Sequence, residues 1–463
     1  MLTNAVPVAQ RAVEALTAVT VPVPDPVPPF WSLPDLAFWW APREGDEVAG
    51  LGVAAEVRAR GADRFGELRR RAAELFARVS VVDPPEAPPW TPRLYGGFAF
   101  AAGSADAPPW SDFGDASFQL PRALLRRQEG RTWLTVIGRT PAAGQAERVR
   151  DRLLAAAREA EAARPPELVR VHQVRREDWR AQVEEVGGLI AAGACEKIVL
   201  ARRAEVELAA PVDPRALLGR LDVRHPDCFR FAFRRGEALF AGASPERLVA
   251  VTGDRVESEA MAGSIRVPPE WSPPERHTGS RGMNPLGGPS KKTPWALGGG
   301  ARALLDSRKD RGEHAVVTRA IARNLAPLCS ELELAPAPEV RALRHVMHLC
   351  TPVRGRLEPP RQLLEVAAAL HPTPAVGGEP TGRALEWIAA REAPRGWYAG
   401  AVGWFDRDGD GELAVALRSG LVSGDRAWVW AGAGIVAESD PDAEYAETSD
   451  KQRAFLDALG DSR

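Results

Sequence analysis

DWRAQVEEVGGLIAAGACEKIVLARRAEVEL, residues 178–208, passes from one structural period to another within a single stretch. Its first half places Val183, Val186, Leu189 and Ile190 on one helical face, with Asp178 in the position of an N-cap. Its second half, EKIVLARRAEVEL, is rich in apolar and β-branched residues and reads as a strand. The alternation continues downstream. FRFAF (229–233), ALFAG (238–242), LVAVT (248–252), WYAGAVGWF (397–405) and AVALRSG (414–420) read as strands, and 312–328, 361–370 and 441–459 as helices. Interleaved strands and helices give an α/β (α+β) class, and frequent hairpin-like pairs predict mixed or antiparallel sheets rather than a purely parallel one.

Working outward, residues 1–165 form an N-terminal part with proline-rich connectors (VPVPDPVPPF, DPPEAPPW). GGFAFAAG (96–103) and TWLTVIG (132–138) read as strands there, and 63–79 and 145–164 as arginine-rich helices. RPPEL (164–168) marks a boundary, and residues 166–463 form the second region. Within it, 266–300 is rich in proline, glycine and basic residues without periodicity, and reads as a mobile surface insert.

The chain has 463 residues, 45% apolar, with a formal net charge of −2. Enough apolar material is present for a large core, and no basic excess marks a nucleic-acid binder. No membrane-spanning run or signal peptide is apparent, and Cys195, Cys228, Cys329 and Cys350 form no CxxC pair. A reduced, cytoplasmic globular protein is expected. Of 60 basic residues only Lys197, Lys291, Lys292, Lys309 and Lys451 are lysine. Lysine can lose its proton once its pKa is lowered, whereas arginine cannot, so each surviving lysine is a candidate for a role arginine could not fill.

Two motifs carry less than they suggest. DRDGDGEL (406–413) opens like a calcium loop, but its twelfth position is Leu417 rather than a bidentate glutamate, so a hairpin turn is expected. Gly432, Gly434 and Ala437 fit GxGxxA after a strand, yet no acidic residue ends a second strand about twenty residues later. A close backbone approach to a ligand remains open there; a dinucleotide does not fit.

On the last helix Glu444, Glu447 and Lys451 share one face, with Pro441 in the first turn. A solvated salt-bridge stripe explains this pattern. So does a site in which these carboxylates and Glu313, on the helix opened by SRKDRGEHAVV, hold Mg²⁺. Spacing alone does not separate the two.

Nine segments occur in this order: ACEKIVLAR (194–202), LFAGASPERLV (239–249), AMAGS (260–264), SRKDRGEHAVV (307–317), VMHLCTPVRG (346–355), LHPTPAVGG (370–378), WYAGAVGW (397–404), LAVALRSG (413–420) and AGAGIVAESDPDAEYAETSDK (431–451). Together they resemble the chorismate-utilising enzymes, most closely the isochorismate synthases. LYGGFAFAAG (94–103) and WSDFGDASFQLPRALL (110–125) are similar to the N-terminal part of the menaquinone-type members.

The resemblance implies one large chorismate-binding domain of two lobes, with the active site between them. It implies Lys197 as the general base activating water for attack at carbon 2 of chorismate, and Glu246 as the general acid protonating the hydroxyl that leaves carbon 4. Glu313, Glu444 and Glu447 are the implied Mg²⁺ carboxylates. Arg418 would grip a substrate carboxylate, a task suited to its planar fork. Gly263, Ser264, His348, Thr351, Ala375, Tyr398, Gly432 and Lys451 complete the implied substrate pocket; Lys309 has no assigned role. His314 and His371 read as structural histidines. As a base Lys197 needs a pKa below the usual ~10.4, through an apolar strand or neighbouring positive charge, and Glu246 needs the opposite tendency, toward neutrality.

Aminating relatives usually carry glutamine in place of Lys197, and the aminodeoxychorismate branch has lysine where Ala262 stands. Water is therefore the expected nucleophile, and no glutaminase partner is expected. Salicylate synthase, which goes on to eliminate pyruvate, is the rival reading, and Ser264 stands where threonine is frequent. A non-catalytic chorismate-binding protein is the alternative from another class. Pathway roles implied are menaquinone or siderophore biosynthesis, with a monomer or weak homodimer expected.

Overall fold

The strand read from EKIVLARRAEVEL is Lys197–Leu208, and it pairs antiparallel along its length with Arg426–Ile435. Beyond Leu200 its residues alternate between half-buried and buried, as a strand with two unequal faces requires. The preceding helix is Arg176–Ala191, so Asp178 lies in its first turn rather than at its N-cap. There it bonds back to Arg175 and suits the positive end of the helix. The computed structural model describes residues 15–267 and 298–460, apart from 129, 140, 142 and 160–163. Most of the segment read as an insert, including Lys291 and Lys292, lies outside the described residues; 298–300 begin the helix Gly298–Asp306.

Twenty-one strands among the described residues join into one continuous sheet, helices packing against it. Among the described residues the pairings are antiparallel except for Leu16–Val23 beside Val79–Val82. Residues before and after 165 share ladders: Leu36–Ala41 pairs with Phe229–Arg235, and Arg93–Phe98 with Ala401–Asp406. Two large apolar clusters form, one containing Tyr95, Phe118, Ile198, Val317 and Trp397, the other Trp39, Leu134, Val206, Leu217 and Phe455. Trp397 joins the first across the chain. It is fully buried, meets Phe113 edge-on at 5.1 Å and donates from Nε1 to the Gly114 carbonyl at 2.9 Å. Burying such a ring stabilises by roughly 1.5–3 kcal/mol, beyond its hydrogen bond.

Two expectations need correction. AVALRSG is not one strand: Gly411–Val415 ends, and Ser419–Ser423 begins only after Ala416, Leu417 and Arg418. Arg418 adopts φ 50°, a left-handed conformation that breaks the ladder. WYAGAVGWF likewise becomes a strand only from Ala401. Its first residues turn, with the Gly400 amide donating to the Trp397 carbonyl. The calcium-like DRDGDGEL is the expected hairpin turn between Ala401–Asp406 and Gly411–Val415, the Asp406 side chain accepting from the Asp408 and Asp410 amides. Among the described residues no helix is long and apolar enough to cross a membrane, and all four cysteines are free.

Candidate active site

Two ladders and the end of a further strand bring the site residues to one cleft. Lys197–Leu208 and Arg426–Ile435 form one wall, with Gly432 opposite Ala201 and Gly434 opposite Val199. Ala238–Ser244 runs out into Pro245 and Glu246. Arg255–Arg266 pairs with Val346–Leu357, and its register shifts between Ala262 and Ser264. That bulge sits at Gly263, whose φ of 73° and contact with the Asp310 backbone admit no side chain. It sets Ser264 opposite His348.

Glu246, Gly263, Ser264, Glu313, His348, Ala375, Tyr398, Arg418, Gly432 and Lys451 all line this pocket. Lys197, Thr351, Glu444 and Glu447 do not line it themselves. Thr351 supports it from below, its Oγ1 lying 2.7 Å from His314 Nε2. His371 lies away from the pocket, near the carbonyls of Ala99 and Phe100.

The helix Pro441–Leu459 begins where expected, Asp440 capping the Ala443 amide. Its acidic face turns inward, which removes the solvated-stripe explanation: Glu444 is 1% exposed. Each carboxylate meets a lysine. Lys197 Nζ lies 2.9 Å from Glu313 Oε1, Lys309 Nζ 2.5 Å from Glu444 Oε1, and Lys451 Nζ 2.5 Å from Glu447 Oε1. Ser264 Oγ also donates to Glu447 Oε1 at 2.7 Å, and Lys451 Nζ to the Gly432 carbonyl at 2.9 Å. Of the two surroundings expected for Lys197, the apolar strand is present in buried Ile198, Val199 and Leu200, whereas the charged neighbour of its Nζ is an anion, at ion-pair distance but without aligned hydrogen-bond geometry.

Burial and the Glu447 charge raise the pKa of Glu444 against the pull of Lys309. Glu447 goes the other way: burial opposes its ionisation, but Lys451 and Ser264 outweigh it. Lys309 is raised although burial would lower it, because Glu444, Glu447 and Glu313 all favour its charge. Oxygen donors of this type suit Mg²⁺. Among the described residues, however, no three metal-ligating side chains are gathered close enough to hold an ion as they stand. Each carboxylate is turned to its lysine instead.

Burial, helped by the Glu259 charge, pushes Glu246 up to about 8 against Lys197, Arg418 and Arg341. Its carboxyl is therefore protonated at neutral pH, and its buried Oε1 has no partner. Arg418 reaches the pocket because of its left-handed backbone. Its Nη2 donates to His348 Nε2 at 2.9 Å. His348 can accept because burial and the Arg418 charge hold its pKa well below 6.5, keeping the ring neutral.

Two positions at the cleft were missed. A Cβ on Gly434 would stand 2.2 Å from Glu313 Oε1 and 2.5 Å from Lys197 Cε, so glycine alone lets that pair reach the cleft. The Gly432–Gly434 spacing carried this signal, but it concerns side chains approaching the backbone rather than a nucleotide. Arg395, 2% exposed, lines the pocket and ties the Val199 and Val376 carbonyls together. Nothing in its spacing marks it.

A cleft offering a protonated buried acid, a lysine–carboxylate pair and a guanidinium suits proton transfer on a small anionic substrate. The chain belongs to the chorismate binding enzymes, whose family model matches residues 35–457. It is 34% identical to the salicylate biosynthesis isochorismate synthase of Pseudomonas aeruginosa over 450 residues, covering 93% of this chain and 84% of that one. It is 30% identical to the isochorismate synthase MenF of Bacillus subtilis, covering 92% of this chain and 88% of the relative. The structure of MenF, the menaquinone-specific isochorismate synthase of Escherichia coli, superposes with a TM-score of 0.74 at 25% identity, covering 96% of this chain and 95% of that one.

Proposed function

We propose that this protein is an isochorismate synthase. The observation that carries the reading is the pair of buried titratable groups, Lys197 Nζ and Glu246 Oε1, without aligned hydrogen-bond partners at one cleft. Lys197 Nζ has its ion pair with Glu313, while Glu246 Oε1, buried without a partner, is free to meet a group of the substrate. The Lys197 amine takes a proton from the water that adds to carbon 2 of chorismate. The ring double bonds shift, and Glu246 delivers its proton to the hydroxyl leaving carbon 4. One water enters and one leaves, so the net change is isomerisation. Holding both groups in register with the ring supplies the proximity on which proton transfer depends.

Arg418, held by His348, grips one substrate carboxylate through charge-assisted bonds. Tyr398, Ala375 and Gly432 shape the wall against the ring. Glu313, Glu444 and Glu447 would hold Mg²⁺, which supplies positive charge to the other carboxylate when bound. Lys451 and Ser264 keep Glu447 oriented, and Lys309 balances Glu444.

We assign the product to menaquinone biosynthesis, a reading supported by the relatives named MenF. The Pseudomonas aeruginosa relative places the same reaction in salicylate biosynthesis, so the product itself is the test. Purified protein with chorismate and Mg²⁺ should yield isochorismate on chromatography. Salicylate and pyruvate in equal amounts would move the assignment to a salicylate synthase, and absence of any product from chorismate would overturn it.

A further inference from the structure

Glu246 has a support that none of the expected site residues supplies. Every backbone polar group around it is tied down. Its amide lies 3.3 Å from Ser244 Oγ, its carbonyl accepts from the Val415 amide at 3.1 Å, and the Arg247 amide donates to Glu259 Oε2 at 3.3 Å. The preceding carbonyl, of Pro245, accepts from two guanidiniums, Arg43 Nη1 and Arg341 Nη1, each at 3.2 Å. The same two arginines grip Glu259: Arg43 Nη2 meets Oε1 at 2.7 Å, Arg341 Nη1 meets Oε2 at 2.7 Å, and Arg341 Nη2 meets Oε1 at 3.0 Å.

The arrangement spans the chain. Arg43 comes from the turn between Leu36–Ala41 and Glu47–Ala59, Glu259 from Arg255–Arg266, and Arg341 from Glu339–Ala342. Arg43 also lies over the Phe229 ring at 4.6 Å, which fixes its plane. A carboxylate 9% exposed, between two guanidiniums, is an expensive arrangement unless both ends of each fork are used. Here the spare donors are spent on the Pro245 carbonyl, one residue before the acid.

We propose that Glu259, clamped by Arg43 and Arg341, is a positioning residue that aims the Glu246 carboxyl and sets the charge balance under which it keeps its proton. The inference rests on Glu246 being the general acid. Four groups bear on that carboxyl: Lys197 from one wall, Arg418 from the turn after Gly411–Val415, Arg341 from the clamp, and Glu259 itself. Arg43 acts one step removed, through Glu259 and the Pro245 carbonyl. Glu259 is the anion among them, and its removal leaves two uncompensated guanidiniums beside the acid. Glu246 then ionises more readily. Loss of Arg43 acts in the opposite sense, because Glu259 is then less neutralised.

The test is the pH profile of kcat for chorismate turnover in the wild type, Glu259→Gln, Arg43→Gln and Glu246→Gln. Glu259→Gln should move the alkaline limb to lower pH by about one unit. Arg43→Gln should move the limb to higher pH, a direction that loosened packing does not produce. Limbs unmoved in both variants, with kcat reduced by one factor at every pH, would overturn the role of Glu259. Should Glu259→Gln show no cooperative melting transition, the direction of the Arg43→Gln shift decides. Wild-type turnover by Glu246→Gln would sink the acid assignment and the positioning role together. With Glu246→Gln inactive, an unmoved limb counts against Glu259 alone.

Discussion

Lys197 Nζ stands 2.9 Å from Glu313 Oε1 directly against the Cα of Gly434, where an added methyl group would overlap both side chains. The pair is possible only because the facing strand carries no side chain at that point. Lysine and carboxylate come from a strand and a helix well over a hundred residues apart, and glycine from a third element. The relationship gives the first prediction. Gly434→Ala should push the pair apart and lower kcat/KM by about tenfold or more, since small misplacements of reacting groups are costly. Steady-state kinetics beside a thermal melt would check it: a lower melting temperature with unchanged kcat/KM counts against a role for the pair.

Lys197→Ala removes the base and should lower kcat by about 10²–10⁴-fold, the usual contribution of a positioned proton acceptor. Chorismate binding in the presence of Mg²⁺, measured by calorimetry, should persist. Normal turnover in this variant would remove the base assignment.

Activity should fall as pH rises through about 8, because Glu246 acts in its protonated form and burial and Glu259 push its pKa up to about 8. Below that pH the acid is charged with its proton, so this group imposes no loss on the acidic side. A rate profile from pH 6 to 10 checks the sign. A rate that climbs through pH 8–9 would mean that another group donates the proton.

Glu447→Gln should weaken the dependence on Mg²⁺. It replaces a carboxylate that Lys451 and Ser264 hold ionised with a neutral amide. A magnesium titration of turnover, together with calorimetry of the metal alone, reads the effect. An unchanged midpoint in both would return Glu447 to the part of a simple salt-bridge partner.

Acid should destabilise the fold through Glu259. Its carboxyl is held down to about 2 because Arg341 and Arg43 outweigh the opposing effect of burial. A depressed folded pKa contributes stability that is full above the unfolded value of ~4.3 and lost as pH falls through the folded one. The contribution is up to about 3 kcal/mol, disappearing between roughly pH 4.5 and 2. Urea melts at pH 7, 5 and 3 should show this loss in the wild type and a smaller one in Glu259→Gln.

Much of the site was legible before the fold. The helix Pro441–Leu459 was readable because proline in the first turn and the spacing of Glu444, Glu447 and Lys451 are local features. Motif order supplied Lys197, Glu246 and Arg418. Spacing did not disclose that the acidic face points inward, since an exposed and a buried stripe share one period and differ only in what packs against them. Arg43 was missed for a similar reason. Its role depends on the ladder between Leu36–Ala41 and Phe229–Arg235, which brings an N-terminal turn beside Pro245.

By itself the sequence determined the local and chemical facts: where helices begin, which residue types stand in the ordered motifs, and that only five of the 60 lysine and arginine side chains can give up a proton. Tertiary structure decided which charge meets which. Lys309, without a role in the sequence, becomes the partner of buried Glu444, and Lys197 faces Glu313 rather than a cation. AVALRSG breaks into two strands so that Arg418 can enter the cleft. Backbone propensity acts over a few residues. Electrostatic partnership and ladder register are settled between segments far apart in the chain, and in this protein it is there that the site is assembled.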